Sequence, residues 1–340
     1  MLRFALFGCG RIAQKHATLL GNKKIPNAVL SGVCDIVEAK ARILSKRYNV
    51  PYFTDPDEMI KTVHPDVIVI LTDSGMHAEH TIQLAKYGKH IVVEKPMAVK
   101  PEDADRMIEA CRQNNCKLFV VKQNRYNKPV VLLRKDLDEG RLGKIFMATV
   151  RVRWCREQSY YDLAEWRGTK DHDGGVMSNQ AIHFVDMRQW MAGDIESLVA
   201  KGMTAAVNIE AEDTVAVLIK FKSGAIGTIE ATTAVRPKDI EGSLSIIGEN
   251  GSVEIGGIAL NKIIHRQFID GCDYSEADKI NHSVDQPDVY GYGHEDYYKH
   301  LVESLQNKAP FPLTGEEGQK SLRIVAAINA SIETGGEIYL

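Results

Sequence analysis

Four groups of residues in this sequence have the types and spacing to do chemistry. The first is Gly8-Cys9-Gly10-Arg11-Ile12-Ala13, a GxGxxA run that follows an apolar strand-like segment and opens a helix. Each small residue has a task in binding a dinucleotide: Gly8 permits a tight turn, Gly10 lets a pyrophosphate approach the backbone, and Ala13 lets the helix pack close to a sheet. The helix start adds unpaired N–H groups and a positive dipole end for the phosphates. Asp35 ends the next strand, where a carboxylate can take the ribose hydroxyls. It would repel a 2′-phosphate, and no arginine follows it immediately, so the pattern points to NAD rather than NADP. The alternative for the glycines is a plain structural turn.

The second group is Thr72-Asp73-Ser74-Gly75-Met76-His77 together with Glu94-Lys95-Pro96. Both runs are delivered by the carboxyl ends of apolar strands, where open α/β sheets bind ligands. Ser74 also fits a helix N-cap, His77 a solvated first turn, and Glu94-Lys95 a surface ion pair before a proline turn. The third group lies in Asp173-Gly174-Gly175 and the stretch after it. If that stretch is one helix, Asn179, His183, Asp186 and Trp190 fall at i, i+4, i+7 and i+11, a stripe that faces either water or a cleft. No second well-spaced histidine or carboxylate pair completes a metal set. In the fourth group Arg153, Arg156 and Arg167 cluster with Tyr160, Tyr161 and Trp166, which suits anion and ring contacts or, residue by residue, an outer sheet face. Arg125 and Asn127 could position a substrate or fix an interdomain hinge.

The elements that must position these groups change character along the chain. Apolar runs of strand length at 2–7, 28–34, 67–71, 90–93 and 117–121 alternate with helix-like stretches. Val67-Ile68-Val69-Ile70-Leu71 is apolar on both faces, as in a parallel strand covered by helices. A Rossmann doubly wound parallel sheet is therefore expected over about residues 1–120. Beyond about 144 the pattern alternates. Residues 214–222 lead through Ser223-Gly224 into 225–235, and 244–247 pair with 252–255 about an Asn250-Gly251 turn. These predict a second domain over 121–340 with a mainly antiparallel sheet half buried on one face. Residues 266–290 read as a polar, irregular functional loop or interface arm. Helical stretches at 291–306 and 316–332 close the chain, and the second could pack back on the first domain.

Length and composition set the outer bounds. With 340 residues, 44% hydrophobic and 26% charged, the chain can bury a sizeable core, which excludes disorder, collagen and a disulfide-built miniature. The 42 basic and 45 acidic residues leave a net charge of -3, which gives no footprint for nucleic acid or an anionic membrane. Cys9, Cys34, Cys111, Cys116, Cys155 and Cys272 form no CxxC pair or zinc spacing and read as free thiols in a reducing compartment. The amino terminus lacks the layout of a signal peptide, and no apolar run approaches the ~20 residues of a membrane span. A cytoplasmic protein is expected.

The GxGxxA run, the Ser74 to His77 loop, Glu94-Lys95-Pro96, Arg125-Tyr126 after a strand, and the Gly-Gly helix carrying His183 and Asp186 together resemble the Gfo/Idh/MocA oxidoreductases. The likeness spans essentially the whole chain. That family joins a Rossmann domain to a C-terminal α/β domain with a large open, mainly antiparallel sheet, which implies substrate binding and oligomerisation for residues 121–340 here, and it oxidises or reduces sugar carbons with a nicotinamide cofactor. The resemblance implies that Lys95, Asn179 and His183 line the reacting carbon. Asn179 departs from the usual aspartate, which leaves the proton work to Lys95 and His183. With Lys122-Gln123-Asn124-Arg125-Tyr126-Asn127, Arg151 to Arg156, Trp166-Arg167-Gly168-Thr169 and Asn179-Gln180-Ala181, the departure is similar to one subgroup, the UDP-N-acetylglucosaminuronate (UDP-2-acetamido-2-deoxy-glucuronate) 3-dehydrogenases of bacterial surface-polysaccharide synthesis.

With the motifs above, the candidate cofactor-binding residues are Phe7, Gly8, Gly10, Arg11 and Ile12; Asp35; Thr72, Ser74 and His77; Glu94 and Lys95; and Gln123. The candidate substrate-binding residues are Lys95, Arg125 and Asn127; Arg156, Tyr160, Tyr161, Trp166 and Arg167; and Asn179, Gln180 and His183. Oxidising a secondary alcohol needs a base within reach of the hydroxyl, and burial beside a positive nicotinamide would free the Lys95 amine for that task. His183 could share the proton or orient the hydroxyl. A UDP-sugar acid carries a diphosphate and a carboxylate, which arginine forks suit. The resemblance further implies reoxidation of the cofactor by 2-oxoglutarate, a 3-keto product passed to an aminotransferase in lipopolysaccharide (O-antigen) synthesis, and a homo-tetramer. The rival expectations are an inositol- or free-sugar-type dehydrogenase of the same family and a non-catalytic NAD-binding sensor.

Overall fold

The computed structural model describes residues 1–271, 283 and 291–340, which divide into two compact units. The first comprises Met1–Lys122 and His294–Lys320, and the second Gln123–Gly293 and Ser321–Leu340. A single cut in the chain does not express this division, because residues 294–320 return to the first unit. Aromatic packing explains the return: Tyr298 sets its ring edge-on to Phe4, and Phe311 packs on both Phe119 and Tyr297.

The first unit holds a six-stranded sheet of β1 (Leu2–Phe7), β2 (Ala28–Cys34), β3 (Tyr52–Phe53), β4 (Val67–Ile70), β5 (His90–Val93) and β6 (Leu118–Val120). Its order is β3-β2-β1-β4-β5-β6, and every pairing is parallel. All four residues of β4 are buried, which is why the strand reads as an unbroken β-branched run. The two-residue edge strand β3 is too short to leave a sequence pattern. Strand order reverses between β1 and β4, so the carboxyl ends of β1, β2, β4 and β5 carry the glycine turn, Asp35, the Thr72 loop and Lys95 to one edge of the sheet.

The second unit is built on an eight-stranded sheet. Its strands are β7 (Ile145–Arg153), β8 (Ile195–Met203), β9 (Thr214–Phe221), β10 (Ile226–Thr232), β11 (Glu241–Gly248), β12 (Gly251–Gly256), β13 (Lys262–Phe268) and β14 (Ile338–Tyr339). The order is β13-β12-β11-β7-β10-β9-β8-β14, with β7 and β10 parallel and the other pairs antiparallel. Strict alternation along β9 buries Val215, Val217, Ile219 and Phe221 and exposes Ala216, Leu218 and Lys220. The helix Ile182–Ala192 joins the buried face, where Phe184, Val185 and Met187 share a core with Val150, Ile229 and Leu244.

Two local expectations are corrected. Glu249 and Asn250 form the β11–β12 turn, and Gly251 already begins β12. Arg266 to Phe268 belong to β13 rather than to an irregular segment; Arg266 is buried in a two-pronged pair with Asp136 at 2.8 and 2.6 Å, so its charge is matched inside the fold. The remainder of the expected loop or arm, from 272 to 290, and Cys272 lie outside the described residues apart from Ser283. The other five cysteines are free, and burial pushes the Cys9 and Cys34 thiols up to about 12. Among the described residues no helix is long and apolar enough to cross a membrane.

Candidate functional site

The glycine turn tests whether the fold accepts a dinucleotide. Gly8 has φ +103, and a Cβ there would lie 2.5 Å from the Leu71 carbonyl oxygen, so its glycine is demanded by the protein itself. Gly10 is different. A Cβ there would meet nothing within 4 Å, so protein packing leaves the space above it open for a ligand. Ala13 is fully buried at the start of the helix Ala13–Gly21. Asp35 accepts the Cys9 N–H at 2.7 Å and the Val37 N–H at 2.8 Å, which ties the glycine turn to the end of β2. Arg11 is exposed, Ile12 half-buried, and Phe7 buried with its ring 4.6 Å from that of His80. The residues fit an NAD diphosphate over Gly10 and a ribose near Asp35.

The two loops beside this turn are fastened to each other. His77 is buried, with Nδ1 2.8 Å from the Pro96 carbonyl oxygen and Nε2 3.1 Å from the Thr72 carbonyl oxygen. Burial holds its pKa below the ordinary histidine value. A neutral ring donates to one of these two carbonyls, and in this position His77 lies between the Thr72 loop and the Lys95 turn and ties them together. Ser74 is buried at the first position of a 3-10 turn, and the helix His77–Ala85 starts after Met76 without a side-chain cap. The Thr72 hydroxyl lies 2.9 Å from His80 Nδ1. Lys95 is half-buried, and its N–H donates to Glu94 Oε2 at 2.9 Å.

In the second unit the expected single helix is two, Gly175–Asn179 and Ile182–Ala192, broken at Gln180-Ala181. The i, i+4 relation of Asn179 to His183 does not hold across that break, and each residue finds its own partner. Asn179 donates its side-chain amide to Asp173. The Gln123 amide nitrogen lies 3.1 Å from His183 Nε2, an arrangement in which that ring nitrogen accepts. Gln123, expected at the cofactor, is thus placed beside His183. Arg125 grips Asp186 with two hydrogen bonds of 2.8 and 2.7 Å and lies over the Trp190 ring, and Asn127 donates to the Ala259 carbonyl at 2.6 Å. Arg125 and Asn127 are buried in these pairings, which give each of them a structural role.

The arginine and aromatic cluster divides in the same way. Arg153 lies on the outer sheet face in a network with Glu230 and Glu241, joined there by Arg151. Tyr161 is buried against the Thr233 hydroxyl at 3.0 Å, and burial pushes its pKa up to about 12. Arg156 pairs with Asp239 at 3.0 Å and lies over Trp154 and Tyr160. Arg167 is the exception: it donates to the Tyr160 hydroxyl at 2.7 Å, is sandwiched by the Tyr160 and Trp166 rings at 4.6 Å each, and has no carboxylate partner among the described residues. Gln180 also reaches the Tyr160 hydroxyl, at 3.5 Å. Arg167, Tyr160, Trp166 and Gln180 therefore make one surface suited to an anion and a planar ring.

Sequence reasoning missed Asp173 as the partner of Asn179, and Glu212, whose carboxylate lies over Gly175 and is pushed up to about 7 by burial and then by Asp173 and Asp213. It also missed His16, His294 and Tyr298 around Glu94. The signal for His16 was present. It stands among Ala13, Ala17 and Leu20 on the buried stripe of its helix, where a histidine needs a polar partner.

Comparison with known proteins adds an independent finding. Residues 2–122 match the model of the NAD-binding Rossmann fold of the Gfo/Idh/MocA oxidoreductases, and residues 134–340 match the model of that family's C-terminal alpha/beta domain. The chain is similar to the WlbA dehydrogenase from Bordetella pertussis, solved with NADH and UDP-GlcNAcA, at 37% identity and a TM-score of 0.90 over 100% of this chain and 98% of that one. The WlbA dehydrogenase from Chromobacterium violaceum, in complex with the same two molecules, gives 39% and 0.92 over 100% and 96%. Among curated proteins, myo-inositol 2-dehydrogenase of Thermotoga maritima is 26% identical over 100% of this chain and 98% of its own length.

Proposed function

The chain belongs to the Gfo/Idh/MocA oxidoreductase family, whose members here are NAD-dependent sugar dehydrogenases, and on that premise we propose that it oxidises the C3 hydroxyl of UDP-2-acetamido-2-deoxy-D-glucuronate to the 3-keto sugar nucleotide. The observation that carries the substrate is Arg167. A guanidinium held between two aromatic rings, with a tyrosine hydroxyl as partner and no carboxylate, is poised for an anionic substrate rather than for the fold's own stability. A free polyol carries no charge for it to meet.

NAD, when bound, accepts a hydride from the carbinol carbon. The chain's own residues move the proton. In this reading Lys95 and His183 form the proton-transfer pair, with the hydroxyl proton leaving to one of them as the hydride departs. Gln123 fixes the His183 ring, and Asp173 fixes the Asn179 amide so that its carbonyl oxygen can orient the substrate. Arg167, Tyr160, Trp166 and Gln180 grip the diphosphate or carboxylate, and Arg156 supports the Tyr160 ring. The dinucleotide is taken by Gly8, Gly10 and Asp35, with Thr72, Ser74 and Lys95 lining the adjacent loops.

The same reading places the protein in the cytoplasm, in lipopolysaccharide synthesis, with 2-oxoglutarate as terminal hydride acceptor and an aminotransferase as consumer of the ketone. Self-association into a tetramer through the open sheet face accords with the exposed Leu218, Ile226 and Ile247. The test is incubation of the purified protein with the sugar nucleotide, NAD and 2-oxoglutarate, followed by mass spectrometry. A product two mass units lighter is expected. Turnover of myo-inositol or a free sugar in its place would move the assignment to the polyol class that the Thermotoga maritima relative represents. Lys95→Ala is expected to keep NAD affinity and lose turnover, and full turnover in that variant would remove Lys95 from catalysis.

A further inference from the structure

Glu94 ends β5 and precedes the proposed catalytic Lys95, yet its side chain turns into the interior of the first unit. Oε1 lies 3.0 Å from His16 Nε2 and 3.5 Å from His294 Nε2. The other ring nitrogen of His16 is 2.6 Å from the Tyr298 hydroxyl, and the two histidine rings meet edge to face at 5.2 Å. His16, His294 and Tyr298 are all completely buried. The second carboxylate oxygen, Oε2, accepts the N–H of Lys95 itself. Two histidines from separate helices thus converge on one carboxylate, with Tyr298 behind His16, and that carboxylate holds the main chain of the next residue.

The arrangement is costly. Burial alone would drive the Glu94 carboxyl upward, but the His16 hydrogen bond and the His294 ring beside it outweigh burial and hold the group well below the ordinary range. Replacing such a buried polar cluster by apolar side chains is often neutral or stabilising, so stability is a weak reason for it. Its geometric result is specific: it pins the backbone from which Lys95 projects. A misplacement of about 1 Å at a reacting group costs on the order of 10²-fold in rate, so rigidity at this position has value for catalysis.

We propose that His16, His294 and Tyr298 are positioning residues for dehydrogenation, clamping Glu94 so that it fixes the Lys95 turn, and that Glu94 serves as this anchor rather than as a cofactor ligand. The proposal rests on the reading of Lys95 as catalytic. His16, Glu94 and His294 also present three ligand-type atoms within 4.8 Å of one another, but His16 is hydrogen-bonded on both nitrogens, to Glu94 and to Tyr298, which leaves it no lone pair free for an ion.

The test compares His16→Ala, His16→Gln and Tyr298→Phe with the parent and with Lys95→Ala, reading kcat, KM, NADH affinity by fluorescence titration and bound metal by elemental analysis. His16→Ala is expected to lower kcat about 10- to 100-fold with NADH affinity within about twofold, because the turn loosens while the glycine site stays intact. His16→Gln keeps an N–H facing Oε1 and should recover kcat to within a few-fold of the parent. Tyr298→Phe, which removes one oxygen and little volume, should show a smaller loss in the same direction. The proposal is overturned if His16→Ala matches the parent while Lys95→Ala is inactive, if His16→Gln is as impaired as His16→Ala, or if kcat and NADH affinity fall together. One equivalent of divalent metal in the parent that His16→Gln loses would also overturn it. Failure of the functional reading shows separately, as turnover retained by Lys95→Ala.

Discussion

Asn179 donates its side-chain amide to Asp173, six residues earlier and also buried, so the carboxamide at this position is matched to an anion that a carboxylate would repel. This pairing gives a physical reason for the departure from the aspartate usual in the family. Asn179→Asp would set two carboxylates in contact, and the repulsion would raise the pKa of one until the pair shares a proton near neutrality. Turnover is expected to fall about 10²-fold, the scale of a disrupted proton-transfer site, and the pH–rate profile to gain an ionisation. Adding Asp173→Asn restores a single carboxylate with the roles exchanged and should remove that ionisation. An unchanged profile in Asn179→Asp would show that the amide is not required.

The two glycines of the dinucleotide turn are expected to fail in different ways. Gly8→Ala meets backbone at 2.5 Å with a positive φ, so it should cost at least about 1–3 kcal/mol of stability. Gly10→Ala meets no protein atom within 4 Å and should leave thermal unfolding almost unchanged. Its methyl group would occupy the space proposed for the pyrophosphate, so NADH affinity should drop at least about tenfold, or ~1.4 kcal/mol. Thermal melts and fluorescence titration of the two variants separate the roles. Equal NADH affinity for Gly10→Ala and the parent would move the phosphates elsewhere.

What the sequence made legible was local. The Val67 to Leu71 run, the glycine turn and the alternation along Thr214 to Phe221 each carry their meaning within a few residues, because burial on two faces or one leaves a period that can be read. The supports of the site are long-range and left no such trace. Tyr298 meets His16 across 282 positions, Arg266 meets Asp136 across 130, and Asp186 meets Arg125 across 61. A charged residue alone reads as surface or substrate contact until its counter-ion is located, which is why the sequence leaves Arg153 open between an anion contact and an outer sheet face. The helix break at Gln180-Ala181 contains neither glycine nor proline, so the stripe through Asn179 and His183 looked continuous.

Glu212 gives a pH signature with a definite sign. Burial, reinforced by the Asp173 and Asp213 carboxylates, pushes it up to about 7, from an ordinary value of 4.5 in the unfolded chain. Between those values the folded state binds a proton that the unfolded state has lost, so stability decreases as pH rises through this window and levels off above it. The full effect is on the order of 3 kcal/mol. Glu212→Gln has no proton to lose. Urea unfolding should find it close to the parent near pH 4 and more stable by about that amount at pH 8, and a constant difference across the range would contradict the shift.

Arg167 and Arg153 provide the last contrast, since both were candidates for an anion grip and only one lacks a carboxylate partner among the described residues. Arg153 spends its charge on Glu230 and Glu241 at the outer sheet face. Arg167→Ala removes a charge-assisted contact of about 1.5–3 kcal/mol, so the substrate KM should rise roughly 10- to 150-fold while NADH affinity holds. Arg167→Lys keeps the charge but loses the planar stack between Tyr160 and Trp166, and should recover only part of the loss. Arg153→Ala should leave KM within about twofold, as expected of an exposed pair. Steady-state kinetics with the sugar nucleotide, varied in ionic strength, read all three. If Arg153→Ala raised KM as much as Arg167→Ala, the anion would have to be met at the sheet face, and the surface formed by Arg167, Tyr160, Trp166 and Gln180 would lose its assignment.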